Sequence, residues 1–154
     1  MRTCLIVALL GLAAFPAAAQ TPKIPVLVEA SVNDKDAVGR AVIFEVREAL
    51  GRSSLFQRVD GFKFRKPQND ADIVPVIRLV LPSLPTVDGT AIAQTIVYDA
   101  PAMPVGGLFI ASSVHTCTSA RVVDCARLIL SDLDQEMTAL KKDHEDWWNR
   151  LVVR

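Results

Sequence analysis

An apolar stripe in the last third of the sequence constrains the fold most. Apolar residues recur there at three- and four-residue steps over five turns, at Val122, Cys125, Ala126, Ile129, Leu133, Met137 and Leu140. This period predicts an amphipathic helix whose apolar face needs a surface to pack on. A second stripe, from Val38 to Leu50, predicts a shorter helix that ends at Gly51. Two one-sided helices favour a layered fold in which both cover a sheet.

Segments rich in β-branched residues supply that sheet. They predict strands over 24–32, 55–59, 73–81, 90–98 and 108–116. The resulting order is β-α-β-β-β-β, with the second helix at the C-terminus. It predicts an α+β fold with a mostly antiparallel sheet of about five strands and both helices on one face.

Three local signals refine the strands. Pro82 and Pro85 are expected to end the third strand, because proline cannot donate to a ladder. Asp88-Gly89 is a strong signal for a chain reversal into the fourth strand. In that strand Gln94 is expected on a wetter face than its apolar neighbours, which fits a sheet covered on one side only.

Residues 1–19 are expected to be a signal peptide. They carry one charge, Arg2, then a short apolar run, and they end in the small-residue pair Ala17-x-Ala19. Removing 19 of the 154 residues leaves 135, which suits one domain, predicted over 20–142, with a tryptophan-rich extension over 143–154. The periplasm is the expected location, with full secretion as the alternative.

Two cysteines remain after the expected leader, Cys117 and Cys125. In an oxidising compartment an even pair favours a disulfide, and closing this small loop stabilises the fold by about 2–3 kcal/mol in the chain-entropy model. The offset of eight residues is too wide for a Cys-x-x-Cys redox motif. The alternative is a metal-binding or thiol-dependent site made of His115, Cys117 and Cys125.

Charge and motifs argue against nucleic-acid binding and catalysis. The 17 basic and 17 acidic residues balance, which disfavours a nucleic-acid partner. The sequence has no Gly-x-Ser-x-Gly elbow, and Gly106-Gly107 lacks the lysine of a phosphate-binding loop. His115 in an alternating strand is more typical of a packed residue than of a general base. We therefore expect no catalytic residue, no cofactor and no bound metal.

A basic segment in the middle of the chain is a candidate anion contact. Lys63, Arg65 and Lys66 alternate with Phe62 and Phe64. Cations interleaved with aromatic rings can hold a polyanion or contact an anionic lipid surface. The alternative is a short hairpin whose phenylalanines face inward while the cations face water.

The C-terminal tail is a candidate partner-binding segment, formed by Trp147, Trp148, Arg150 and Leu151. Tryptophan and arginine are favoured at the centres of protein interfaces. The tail either folds back onto the core or contacts an envelope protein, a second copy of the chain or a membrane surface.

Two sets of residues resemble known exported proteins. The segment from Val38-Gly39-Arg40 to Ser53-Ser54 and the late pair Cys117 and Cys125 resemble small uncharacterised exported proteins of proteobacteria. The strand–helix–strand–hairpin order, with its step Ser53-Ser54-Leu55-Phe56, is similar to the amino-terminal domain of the Tol-Pal β-propeller protein. This resemblance implies a role in envelope assembly and supplies no catalytic residues, and a shared fold does not by itself transmit function.

These observations predict a non-enzymatic periplasmic module, either a binding module or an envelope-assembly accessory. One alternative function is the metal or thiol protein centred on His115. The other is a self-associating structural protein that uses the tail.

Overall fold

The computed structural model describes residues 23–60, 75–100 and 107–151. In chain order the elements are β1 (Ile24–Ser31), α1 (Ala37–Arg52), β2 (Phe56–Val59), β3 (Val76–Thr86), β4 (Gly89–Asp99), β5 (Leu108–Cys117), a 3-10 turn (Ser119–Arg121), α2 (Val122–Asp143) and α3 (Glu145–Leu151). This confirms the α+β class and the predicted element order. The expected signal peptide and the segment with Lys63, Arg65 and Lys66 lie outside the described residues.

The sheet has the strand order β2-β1-β3-β4-β5. β1 pairs parallel with both β2 and β3, whereas β3, β4 and β5 pair antiparallel. The sheet is therefore mixed: the antiparallel part, β3 to β5, was expected, and the parallel pairing of β1 was not. The parallel pairing of β1 with β2 results from α1. This helix returns the chain to the end of the sheet at which β1 begins, so β2 runs in the same direction as β1.

The core lies between the two long helices and one face of the sheet. The predicted stripe of α2 is buried from Cys125 to Leu140, and α1 buries Val42, Val46 and Leu50. They pack with apolar residues at alternate strand positions, including Ile77, Leu79, Leu81, Ile92 and Ile96. None of the described helices is both long enough and apolar enough to cross a membrane.

β3 continues past the point where its prolines were expected to end it. Pro82 is paired with Ser31, the last residue of β1, so the missing N–H falls where that ladder stops. Beyond it β3 keeps its register with β4 as far as Thr86 opposite Gly89, so the chain reverses at Val87 and Asp88, beside the predicted Asp88-Gly89 signal. A Cβ on Gly89 would lie 2.0 Å from the carbonyl oxygen of Cys117, so this close approach requires glycine.

A buried carboxylate fixes the start of α1 to the sheet. Asp36 caps the helix by accepting a hydrogen bond of 2.7 Å from the backbone N–H of Gly39. Its Oδ2 accepts further hydrogen bonds of 2.7 Å from the hydroxyls of Ser83 in β3 and Thr90 in β4. Because a Cβ on Gly39 would lie 2.3 Å from Oδ2 and 2.7 Å from Ser83 Oγ, a glycine is needed inside this helix.

Candidate functional site

Four polar side chains meet beneath α2 near the β5 edge of the sheet. Gln94 of β4 is buried, and its Nε2 donates to the carbonyl of Ile129 in α2 at 3.1 Å. Its Oε1 lies 2.9 Å from His115 Nε2. The hydroxyl of Ser113 donates to Asp132 Oδ2 at 2.9 Å and lies 3.1 Å from His115 Nε2. Strand β5 is thereby tied to helix α2 through polar contacts.

The placement of Gln94 corrects the sequence prediction. It was expected on a wetter face, but positions 92, 94 and 96 share one face of a strand because side chains alternate with a period of two. Gln94 therefore points into the core between Ile92 and Ile96, and its burial is compensated by the two hydrogen bonds just described.

Ser113, His115 and Asp132 are the residue types of a hydrolase triad, but their geometry differs from one. In a triad the carboxylate orients one imidazole nitrogen and the serine contacts the other. Here Asp132 Oδ2, at 3.4 Å, and Ser113 Oγ both face Nε2. Ser113 Oγ lies within hydrogen-bond distance of Asp132 Oδ2, His115 Nε2 and Gln94 Oε1, so its one proton is not committed to His115. The arrangement suits structural hydrogen bonding better than activation of a nucleophile.

A partly open cavity of about 190 Å³ adjoins this network, between α2 and the edge of the sheet. Its charged lining residues are Asp132 and Glu136, both on α2. The wall is completed by Gln135 of α2 and by residues of β4 and β5, namely Gln94, Ile96, Ala111, Ser112 and Ser113. The cavity is therefore acidic on its helix side and uncharged on its sheet side.

β5 is an open edge of the sheet. Among the described residues its outer side has no strand partner, and it is ten residues long, whereas the opposite edge strand β2 has four. Edge strands usually carry charges or prolines that prevent pairing with another chain. β5 contains no Lys, Arg, Asp, Glu or Pro. After an irregularity opposite Ile96 and Val97, residues 111–117 pair one for one with β4 and form a regular edge.

Apolar side chains stand on the sheet face opposite the helices. Val114 and Phe109 of β5 are 71% and 59% exposed. Arg78 of β3 lies on the same face, paired with Glu29 at 3.5 Å and Asp99 at 3.0 Å. This face therefore combines polar positions with an apolar margin along β5.

Cys117 and Cys125 form the predicted disulfide, which joins the end of β5 to the first turn of α2. His115 turns its Nε2 towards Gln94 and Asp132. Within the described parts of the chain, no group of three or more His, Cys, Asp or Glu residues is arranged to hold a metal ion. The three residues of the alternative metal site are thus near one another in sequence, but two of them are bonded to each other.

The C-terminal tail forms the short helix α3. Leu151 is fully buried in the core, and Trp148 is partly buried against it. Lys141 Nζ lies 5.4 Å from the centroid of the Trp148 ring, within the range of a cation–π interaction. Leu151 therefore packs into the core of the chain. The side chains of Trp147 and Arg150 are outside the described part of the structure.

No protein-family model matches the chain, and no curated protein is similar to it in sequence. Among solved structures, the crystal structure of TolB from Acinetobacter baumannii is similar with a TM-score of 0.49 and 14% sequence identity. The similarity covers 79% of this chain and 30% of that one, so the chain spans less than a third of the TolB structure. It is a weak likeness of architecture.

Proposed function

We propose that this protein is a non-enzymatic binding module of the periplasm that holds an extended segment of a partner protein along β5. The observation that carries the proposal is the long, uncharged edge of this strand, which is regular over residues 111–117. An extended segment can add to such an edge by pairing its backbone N–H and C=O groups, while side-chain contacts on either face select its sequence.

The chemistry of the described polar residues supports binding rather than catalysis. Asp36 is only 3% exposed and accepts three hydrogen bonds that hold α1 on the sheet. The hydroxyl of Ser113 contacts Asp132, Gln94 and His115, and Cys117 is in a disulfide. Each of these groups already has a structural partner, which leaves the backbone of β5 as the main unpaired feature of the described sheet.

The disulfide supports a location outside the cytoplasm, because such bonds persist in oxidising compartments. Together with the expected signal peptide, it favours the periplasm. A role as an accessory to envelope assembly fits that location.

Selection from a library of extended peptides tests the proposal. Purified oxidised protein should enrich peptides of alternating apolar character. Val114→Lys should weaken their binding by about tenfold, the equivalent of roughly 1.4 kcal/mol, because a solvated cation on an edge strand opposes pairing. Val87→Lys, a matched change at a fully exposed hairpin residue outside β5, should bind as the original protein does.

Hydrogen exchange gives an independent readout of the same event. A bound peptide should slow exchange at β5 amides more than at β2 amides. Enriched peptides that bind the Val114→Lys protein as tightly as the original would contradict strand addition at this edge.

A further inference from the structure

The geometry points to the kind of segment that β5 takes: one that inserts a lysine or arginine side chain into the acidic cavity beside Asp132 and Glu136. This inference rests on the strand addition proposed above and specifies its partner. The partner's residues on either side of the cation would carry apolar side chains, on the face of the sheet where Val114 is exposed.

The geometry of strand pairing determines which side chains of an added strand face the cavity. A segment that pairs with β5 extends the sheet by one strand, and its side chains alternate between the helix face and the open face. The cavity lies between β5 and α2 on the helix face, because Ser113 of β5 and Asp132 of α2 both line it. A helix-facing side chain of the added strand therefore points towards this cavity.

The charge of the cavity selects the side chain. Asp132 is 38% exposed; its Oδ2 accepts from the hydroxyl of Ser113 and lies 3.4 Å from His115 Nε2, which leaves Oδ1 on the same carboxylate. A carboxylate has about four acceptor sites, so capacity remains for a cation. Glu136 is partly exposed, and within the described residues it makes no ion pair.

The size and lining of the cavity suit a long basic side chain. A volume of about 190 Å³ exceeds what a single water molecule occupies. Ile96 and Ala111 offer apolar wall for the methylene stem, while the carboxylates stand on the helix side. Lysine and arginine are the residues that bury such a stem and keep a charged head in a polar environment.

The open face sets the neighbouring positions. Val114 is the exposed apolar side chain of the regular part of β5, flanked by the exposed Ser112 and Thr116. Cross-strand pairs between β-branched residues are favourable on such a surface. The expected segment therefore alternates β-branched residues on the open face with a central basic residue on the helix face.

Three labelled peptides test this with the full oxidised chain. They are Val-Thr-Val-Lys-Val-Thr-Val and the same peptide with Gln or Glu in place of Lys, titrated by fluorescence anisotropy. The Lys peptide should bind about fivefold more tightly than the Gln peptide, the upper range for a partly exposed ion pair, and the Glu peptide should bind most weakly.

Protein variants locate the effect. Glu136→Gln should reduce the preference for Lys over Gln, whereas Asp134→Asn, at an exposed position of the same helix outside the cavity, should leave it unchanged. Circular dichroism checks that both variants fold. If the two variants lose the preference for Lys over Gln equally, the effect is one of general charge and the inference is wrong.

The outcomes separate this inference from the function on which it rests. If all three peptides bind equally and Val114→Lys weakens each, strand addition holds and the basic preference is wrong. If no peptide binds the original protein at millimolar concentration, both proposals are wrong.

Discussion

Replacing Asp36 with alanine should destabilise the fold more than replacing any exposed carboxylate. Asp36 caps α1 through Gly39 and accepts the hydroxyls of Ser83 and Thr90, so it joins the first helix to two strands. Asp36→Ala removes all three contacts and leaves a buried space between them.

The magnitude follows from the partners that remain. Loss of an N-cap costs about 1 kcal/mol. Ser83 is buried, and a buried hydroxyl without its acceptor costs about 1–3 kcal/mol. The free-energy cost at Thr90 is smaller, because its Oγ1 also lies 3.1 Å from the carbonyl oxygen of Leu84 and can donate to it. The free energy of unfolding should therefore fall by about 2–4 kcal/mol in total.

The effect should depend on pH. Burial alone raises the pKa of Asp36, but hydrogen bonds from Gly39, Thr90 and Ser83, together with the charge of Arg40, hold the pKa below its usual value. A carboxyl whose pKa is lower in the folded state stabilises the protein above its unfolded pKa, near 4, and that contribution is lost as the pH falls through the folded pKa. The difference between original and variant should be constant from about pH 7 to 5 and shrink below about pH 4.

Urea denaturation followed by far-UV circular dichroism measures these free energies at each pH. Asp34→Ala removes the same charge from an exposed residue in the same loop and serves as the control. Asp36→Asn keeps a capping oxygen, so its free energy of unfolding should lie between those of Asp36→Ala and Asp34→Ala. Two results would refute the reasoning: equal stability of Asp36→Ala and Asp34→Ala at pH 7, or a difference that grows on acidification.

Three further tests probe a close contact, the disulfide and a buried side chain. Gly39→Ala should destabilise the fold, because its Cβ would overlap the capping carboxylate, whereas Gly51→Ala, with open space around it, should not; urea denaturation compares them. Cys117→Ser with Cys125→Ser should lower the unfolding free energy by about 2–3 kcal/mol, and reduction of the original protein should match it. Leu151→Ala should lower the free energy of unfolding by about 2–5 kcal/mol, measured by thermal denaturation. A change near zero would contradict the burial of Leu151.

The parts of the fold that could be predicted from the sequence are those that depend on local patterns of residues. The stripe from Cys125 to Leu140 is the buried face of α2, and the short offset from Cys117 to Cys125 closes a disulfide. The antiparallel pairing of β3, β4 and β5 was predicted, whereas the parallel pairing of β1 with β2 and β3 was not, because it depends on where the chain travels between strands. A helix between β1 and β2 was predicted, and its crossover already implies parallel pairing.

The candidate site was harder to predict because its contacts are long-range. Gln94, His115 and Asp132 come from three elements, and the hydrogen bonds between these elements join residues 19 to 35 positions apart. His115 was singled out by residue type alone. A signal for the site was present in the strand period. Side chains alternate between the two faces, so Gln94 lies on the same face as Ile92 and Ile96, and this places polar residues at helix-facing positions of β4 and β5.

Comparison of the two buried polar clusters shows why only one is a candidate binding site. Asp36 lies at the centre of its cluster, accepts from a backbone N–H and two hydroxyls, and is almost inaccessible. Asp132 lies at the margin of the other cluster, keeps 38% of its side chain exposed and lines a cavity beside an unpaired strand edge. A satisfied and enclosed carboxylate stabilises the fold, whereas an exposed one with spare acceptor sites can also bind a cation. The cavity at β5 is therefore where the proposed strand pairing and the proposed recognition of a basic side chain would coincide.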